Sequence, residues 1–403
     1  MAQLDITLDT ELLHGLFTKD QRDDAFARLL ETIFNQVLDA QSAEQLRAAP
    51  YERCAERTGQ RNGYRDRGLT TRIGGLTLRI PRHRNGSFST SMFERYQRSE
   101  QALLLSMIEM VINGVSTRKI EHITEELCGK TFSKSMVSEL CKKLDPAVYA
   151  FVNRPLSCEY PFVCADAIYI KVREDNRVKS KSLLIATGVN NEGYREILGF
   201  HLCESESETS WDEFFTELIQ RGLQSPRLVT SDNHKGLVKA IQKRFPGASW
   251  QRCQTHFSRN VLDKTPKTLQ PQVKEDLRKV YEAVDMDSAR AARNELLSKY
   301  SAKAAKAMDL LDEAFDDITA VLSLPLRYRK RLRTTNGIER LNQEIRRRER
   351  VIRIFPNEAS AIRLMGALLI EQDEKWTTGR KYFEMDVYYD SLDQPQESHQ
   401  HVA

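Results

Sequence analysis

FVCADAIYIKV, residues 162–172, is a run of apolar and β-branched residues interrupted by one carboxylate, and it reads as a strand buried in a sheet. Two further segments of the same character follow, SLLIATGVN (182–190) and YREILGFHLC (194–203), with turn signals at Asn190-Asn191 and Glu192-Gly193. A helix from Thr209 to about Arg221 leads to a short buried-type strand, RLVTSD (227–232). Another helix from His234 to Phe245 leads to ASWQRCQ (248–254). Three meandering strands followed by helix, strand, helix and strand predict an α/β fold with a mixed five-stranded sheet covered by helices. In that topology the first and fourth strands lie side by side. Residues 255–333 are helical by pattern, and 336–350 and 357–375 are further helices.

Asp166 stands where a buried strand favours Val or Ile, and a carboxylate there is costly unless it is paired or binds a cation. Asp232 ends RLVTSD, where it can also cap the next helix. If the two strands are neighbours, both carboxylates converge. Close carboxylates raise each other's pKa unless a cation sits between them. Hard oxygen ligands describe Mg²⁺, and two such ions about 4 Å apart can activate a water or 3′-hydroxyl and stabilise the leaving oxygen of a phosphodiester. That chemistry usually wants a third acid. NGIERLNQEIRRRER (336–350) offers Glu339, Glu344 and Glu349. On a helical wheel Ile338, Leu341, Ile345 and Ile352 form the buried stripe, with Glu339, Asn342 and Arg346 on one flank and Glu344 on the other. The wheel alone leaves the choice open.

The 403 residues carry a net charge of only +4, but the charge is unevenly spread. Residues 51–100 hold eleven arginines against five acids, and 330–353 hold nine basic residues against three. Two such segments suggest a polyanionic partner contacted at more than one place. Residues 21–47 read as an amphipathic helix through Phe26, Leu29, Leu30, Ile33, Phe34, Val37 and Leu38. LTTRIGGLTLRI (69–80) alternates around Gly74-Gly75, which predicts a hairpin turn there, decorated by Arg72, Arg79, Arg82 and Arg84. Residues 100–144 predict three helices, the second capped by Ser116 and carrying Arg118 and Lys119, the third capped by Ser133. The last two fit a helix-turn-helix with Lys134, Ser135, Ser138 and Glu139 on its exposed face. No apolar run approaches a membrane span, the N-terminus lacks a signal-peptide pattern, and seven sparse cysteines suit reduced thiols, so a cytoplasmic protein is expected.

DAIYIKVRED from Asp166, GFHLCESESETSW (199–211), LVTSDNHKGL around Asp232, WQRCQTHFSRN from Trp250 and TTNGIERLNQEIRRR around Glu339 together resemble bacterial insertion-sequence transposases of the Mutator type. So does FERYQRSEQALLLSMIEMVINGVSTRKIEHITEELCGKTFS (93–133). The resemblance implies an RNase H-like catalytic domain with an Asp-Asp-Glu triad, interrupted by an all-helical insertion before the Glu. Carried onto this sequence, the triad is Asp166, Asp232 and Glu339, acting with Mg²⁺ or, in its place, Mn²⁺. Arg346, with Arg347 beside it, matches the basic position after the Glu and implies contact with DNA phosphate. Cys253 and His256 match a C-x-x-H element, for which a structural or DNA-positioning role is expected over zinc; Asn336 and Asn342 fall near the site.

The expected organisation is a helix and basic hairpin (1–98) and a helix-turn-helix (99–150), both DNA-binding. A catalytic core follows (158–256 and 334–380), interrupted by the helical insertion (257–333) and ending in an acidic tail (381–403). The expected activity is cleavage and transfer of DNA strands at the element's terminal inverted repeats and in target DNA. The resemblance implies a homodimer or larger assembly on nucleoid DNA, without a membrane. A catalytically silent DNA-binding regulator and an RNase H-like nuclease or resolvase are the rival readings.

Overall fold

The computed structural model describes residue 10 and residues 22–71, 74–84, 88–90, 92, 99–128 and 131–393. The chain divides into two compact units, Met1–Lys143 and Leu144–Ala403.

In the first unit, helix α1 (Arg22–Leu46) packs on a two-stranded antiparallel sheet of β1 (Arg61–Thr71) and β2 (Gly74–His83). Leu76, Leu78 and Ile80 alternate inward to meet Leu38, Leu30 and Phe34, while Thr77 and Arg79 point out. Gly74 and Gly75 lie inside β2, opposite Thr71 and Thr70, so the strand starts earlier than the expected turn allows. Gly74 takes a φ of 122°, open to glycine alone, at the start of that strand. Phe26, expected on the apolar stripe of α1, is 44% exposed. Helices α2 (Gln101–Ile112), α3 (Thr117–Cys128) and α4 (Lys134–Cys141) share a small core of Leu103, Met107, Ile120, Phe132, Val137 and Cys141. Their starts are where the capping residues imply: Ser116 Oγ accepts from the Lys119 N–H, and Ser133 Oγ from the Met136 N–H, each at 3.3 Å.

The second unit begins with α5 (Asp145–Val152) and contains strands β3 (Phe162–Glu174), β4 (Arg177–Val189), β5 (Arg195–Cys203), β6 (Leu228–Ser231) and β7 (Ser249–Arg252). Their order is β5-β4-β3-β6-β7, antiparallel through β5, β4 and β3 and parallel through β3, β6 and β7. The sheet is mixed and five-stranded, as the strand pattern predicts. The period-two alternation of β3 sorts its faces. Val163 and Ala165 join Trp211, Phe214, Phe215 and Leu237 of α6 (Glu208–Gln220) and α7 (Lys235–Arg244) in one core. Phe162, Cys164 and Asp166 lie on the other face.

Between β7 and that other face runs a helical segment of α8 (Gln254–Asp263), α9 (Gln270–Tyr281), α10 (Met286–Glu313), α11 (Phe315–Thr319) and α12 (Leu326–Leu332). It has its own core, including Phe257, Leu277, Leu296, Tyr300, Leu311 and Ile318. The chain then returns as α13 (Asn336–Ile352), α14 (Glu358–Thr377) and α15 (Asp386–Asp393). Phe355 pins the α13–α14 connection to the sheet: its N–H donates to Lys171 O, and its C=O accepts from the Arg173 N–H, both at 2.8 Å. Among the described residues no helix is long and apolar enough to cross a membrane.

Candidate active site

β3 and β6 run parallel with Cys164 beside Thr230. Two residues further on, that register sets Asp166 level with Asp232 on the same face. Asp166 Oδ1 accepts from the Ala167 N–H at 3.0 Å, and Oδ2 accepts from Asn342 Nδ2 of α13 at 2.8 Å. Burial pushes its carboxyl up to about 7, and the Asp232 charge beside it adds to the rise. Asp232 Oδ1 also accepts from the His234 N–H at 3.2 Å, so it closes the turn into α7 while facing Asp166.

Glu339 sits in the first turn of α13, where Oε1 lies 3.4 Å from His256 Nε2 of α8. Among the described residues that buried oxygen has no hydrogen-bond partner, and neither has Oδ1 of Asn342, one turn further on. The other two acids of α13 are placed differently. Glu344 accepts from Arg347 at 3.2 Å and Arg348 at 2.7 Å, on the opposite flank. Glu349 lies nearly three turns beyond Glu339, among Arg346, Lys171 and Arg350, and burial raises its pKa. Packing of α13 against β3 therefore turns Glu339 and Asn342 toward the two aspartates.

Cys253 and His256 tie the start of α8 to the start of α13. The buried Cys253 sulfur accepts from the Thr335 N–H at 3.4 Å and from Thr335 Oγ1 at 3.3 Å. Burial pushes this thiol up, but His256 and Thr335 outweigh it and leave the pKa below the ordinary value. Cys253, and then the Glu339 charge, raise that of His256. Asn336 is exposed at the head of α13, with its Oδ1 3.5 Å from Thr255 Oγ1.

Among the described residues, one set of three acids has oxygens all within 4.8 Å, Glu174, Glu204 and Glu358. It surrounds the buried Lys181 Nζ, which makes ion pairs with all three. Asp166, Asp232 and Glu339 stand further apart than that.

The sequence pattern hides one acid of this site. Glu206 lies in the run ESESE (204–208), yet its Oε1 accepts from Trp211 Nε1 at 3.1 Å and lies 3.3 Å from His234 Nδ1. Burial raises its pKa, and its charge is felt at Asp166. The fully buried Trp211, five residues on, is the only local hint of it.

Arg346 is exposed on the Glu339 flank, whereas Arg347 is held by Glu344. In the first unit Arg79, Arg82 and Arg84 are exposed on or just after β2, with Arg79 stacked 4.5 Å over Tyr64. Arg118, Lys119, Lys134, Ser135 and Ser138 are exposed on α3 and α4. Arg72 lies outside the described residues.

The whole pattern matches known proteins. Residues 1–379 fit the family described as transposase, Mutator family. The chain is 47% identical over 390 residues to the transposase for insertion sequence element IS256 in transposon Tn4001 of Staphylococcus aureus, covering 96% of this chain and 100% of that protein. It is 43% identical to the transposase for ISRM5 of Rhizobium meliloti, covering 90% of this chain and 91% of that one. Identity is 41% to the transposase for IS1081 of Mycobacterium tuberculosis, with 94% and 92% covered. Matched from its first residues through α14, the chain belongs to the Mutator family of transposases.

Proposed function

We propose that the protein is a DDE transposase of an insertion sequence, with an RNase H-like core in its second unit and DNA-binding elements in its first. The observation that carries this reading is convergence. Asp166 and Asp232 come from neighbouring strands, and Glu339, 107 positions after Asp232, is brought back to them by α13.

Asp166, Asp232 and Glu339 would hold Mg²⁺, with Mn²⁺ as its substitute. The donor set fits such an ion: burial and the Asp232 charge raise the cost of ionising Asp166, and among the described residues the buried Glu339 Oε1 and Asn342 Oδ1 have no hydrogen-bond partner. When bound, the ion supplies Lewis acidity that favours the attacking oxyanion and stabilises the leaving oxygen. The chain's own residues set the geometry. Asn342 holds the Asp166 carboxylate, His256 faces Glu339, and Cys253 anchors the head of α13 through Thr335. Arg346, about two turns beyond Glu339, is free to contact a phosphate. Water attacks phosphorus first, breaking a P–O3′ bond and leaving a 3′-hydroxyl. That hydroxyl then attacks a target phosphodiester, losing its proton as the target 3′-oxygen departs.

The exposed arginines of β2 and the exposed residues of α3 and α4 would bind the terminal inverted repeats, with two or more chains bringing the ends together. The reading is tested by nicking of a terminal-repeat duplex. Asp166→Asn and Glu339→Gln should abolish Mg²⁺-dependent nicking while end binding survives. Full nicking by both variants refutes the site; a wild-type protein that binds ends and never nicks with either metal refutes the chemistry.

A further inference from the structure

The flank of α13 opposite Glu339 lines a concavity of about 1030 Å³ that the cleavage reading does not use. Its walls come from β5, the ends of α12 and α14, and the segment before α15. Seven of its lining residues are Lys or Arg, against one acid, Glu344, which Arg347 and Arg348 already engage. Arg195, Arg340, Arg380 and Lys381 form no ion pair with any carboxylate among the described residues.

Arg195 is the informative member. Its guanidinium stacks 3.8 Å over Trp376 and lies 5.7 Å from Tyr382. Gly337 lets it pack closely on α13, since a Cβ there would lie 3.0 Å from the Arg195 guanidinium, tighter than ordinary van der Waals contact. Burial lowers the pKa of this guanidinium, and the like charge of Arg340 lowers it further. A desolvated cation beside another cation, with only π faces for company, is stable when an anion comes between them. Arg331 also lies over a ring of this wall, 4.8 Å from the Tyr382 centroid, and donates to the Tyr382 carbonyl. A solvated basic face would instead spread its charges apart and pair them with acids.

We propose that this concavity is a binding groove for the phosphodiester backbone of a DNA strand, seated on Arg195, Arg340, Arg380 and Lys381 and flanking the strand's reactive phosphate. The position argues for DNA over an acidic peptide. Cys164, two residues before Asp166 on β3, lines a small cavity together with Arg195, Arg331, Gly337 and Tyr382 of this concavity. The groove and the acids are thus neighbours across one helix, so a strand held at the acids can continue along the opposite flank of α13. The proposal takes the DNA-cleaving reading as its starting point.

The test uses the full chain and two fluorescent probes of arbitrary sequence, a duplex and a single strand, titrated across salt concentrations. Each lost phosphate contact should reduce the slope of log K against log salt by about 0.9 on duplex or about 0.7 on single strand. Arg340→Gln/Arg380→Gln/Lys381→Gln, all exposed positions, should therefore lower the slope by roughly 2 to 3 on the probe that occupies the groove. Arg340→Lys/Arg380→Lys, which keeps the charge, should retain it. An unchanged slope on both probes with a native circular dichroism spectrum overturns the groove. If the wild type never nicks but the triple variant loses slope, the groove stands and the cleavage reading falls; nicking with an unchanged slope has the reverse meaning.

Discussion

Asp166→Asn should make the metal-free protein more stable at alkaline pH, even though it removes a residue of the candidate site. The Asp166 carboxyl is raised from 3.8 to about 7, by burial first and by Asp232 second. A group raised in the folded state keeps its proton longer there than in the unfolded chain. Its contribution to stability is therefore full below about pH 4 and is lost as pH rises through about 7. At 1.36 kcal/mol per pH unit the loss is about 4 kcal/mol in total, of which about 2–3 kcal/mol falls between about pH 5 and pH 8. Asparagine has no proton to lose, so the difference between variant and wild type should grow by that amount over the interval.

The local hydrogen bonds permit the swap. The amide oxygen can accept from the Ala167 N–H in place of Oδ1, and Asn342 can turn its unpartnered Oδ1 toward the new NH₂. At roughly 2–4 °C per kcal/mol for a unit of this size, the melting-temperature difference should widen by about 5–10 °C. The assay is thermal unfolding of both proteins in chelator at the two pH values. Excess Mg²⁺ should then raise the wild-type melting temperature at the higher pH and leave the variant unmoved. A difference that stays constant between the two pH values would refute the desolvated, mutually repelling pair.

Two substitutions test the frame around the site. Gly366→Ala would place a Cβ 2.4 Å from Val148 Cγ1 and 3.2 Å from the Phe200 ring, forcing α14 off α5 and β5. It should cost about 1–3 kcal/mol or more, read as a lower denaturation midpoint; an unchanged midpoint would mean the α5–α14 contact is not close-packed. Cys253→Ala leaves the buried Thr335 N–H and hydroxyl without their sulfur acceptor, at a cost of about 1–3 kcal/mol. Cys253→Ser, which keeps an acceptor, should recover part of it in the same unfolding assay, and equal losses would assign the effect to volume alone.

The strands, the helices and the presence of something unusual at Asp166 are all local properties, and they are legible as such. Burial of β3 requires an apolar run, so a carboxylate within it stands out before any partner is known. The starts of α3 and α4 are equally local, because Ser116 and Ser133 bond donors only three residues away. The turn of the β1–β2 pair is misread by its glycines, since Gly74 and Gly75 serve the strand and not the bend.

What the residues cannot display locally is which surface faces which. A wheel puts Glu339 and Glu344 on opposite flanks of α13 with equal claims; only docking of that helix on β3 turns one toward Asp166 and leaves the other to Arg347 and Arg348. Nothing local marks Glu206 or Lys181 as buried, yet Trp211 covers the first, and Glu204 and Glu358 join the nearby Glu174 around the second. Local pattern thus decides the elements and flags the costly residue, because propensity and burial act over a few neighbouring positions. The tertiary fold decides the partners, because the charges that set a carboxylate's energy arrive from strands and helices far apart along the chain.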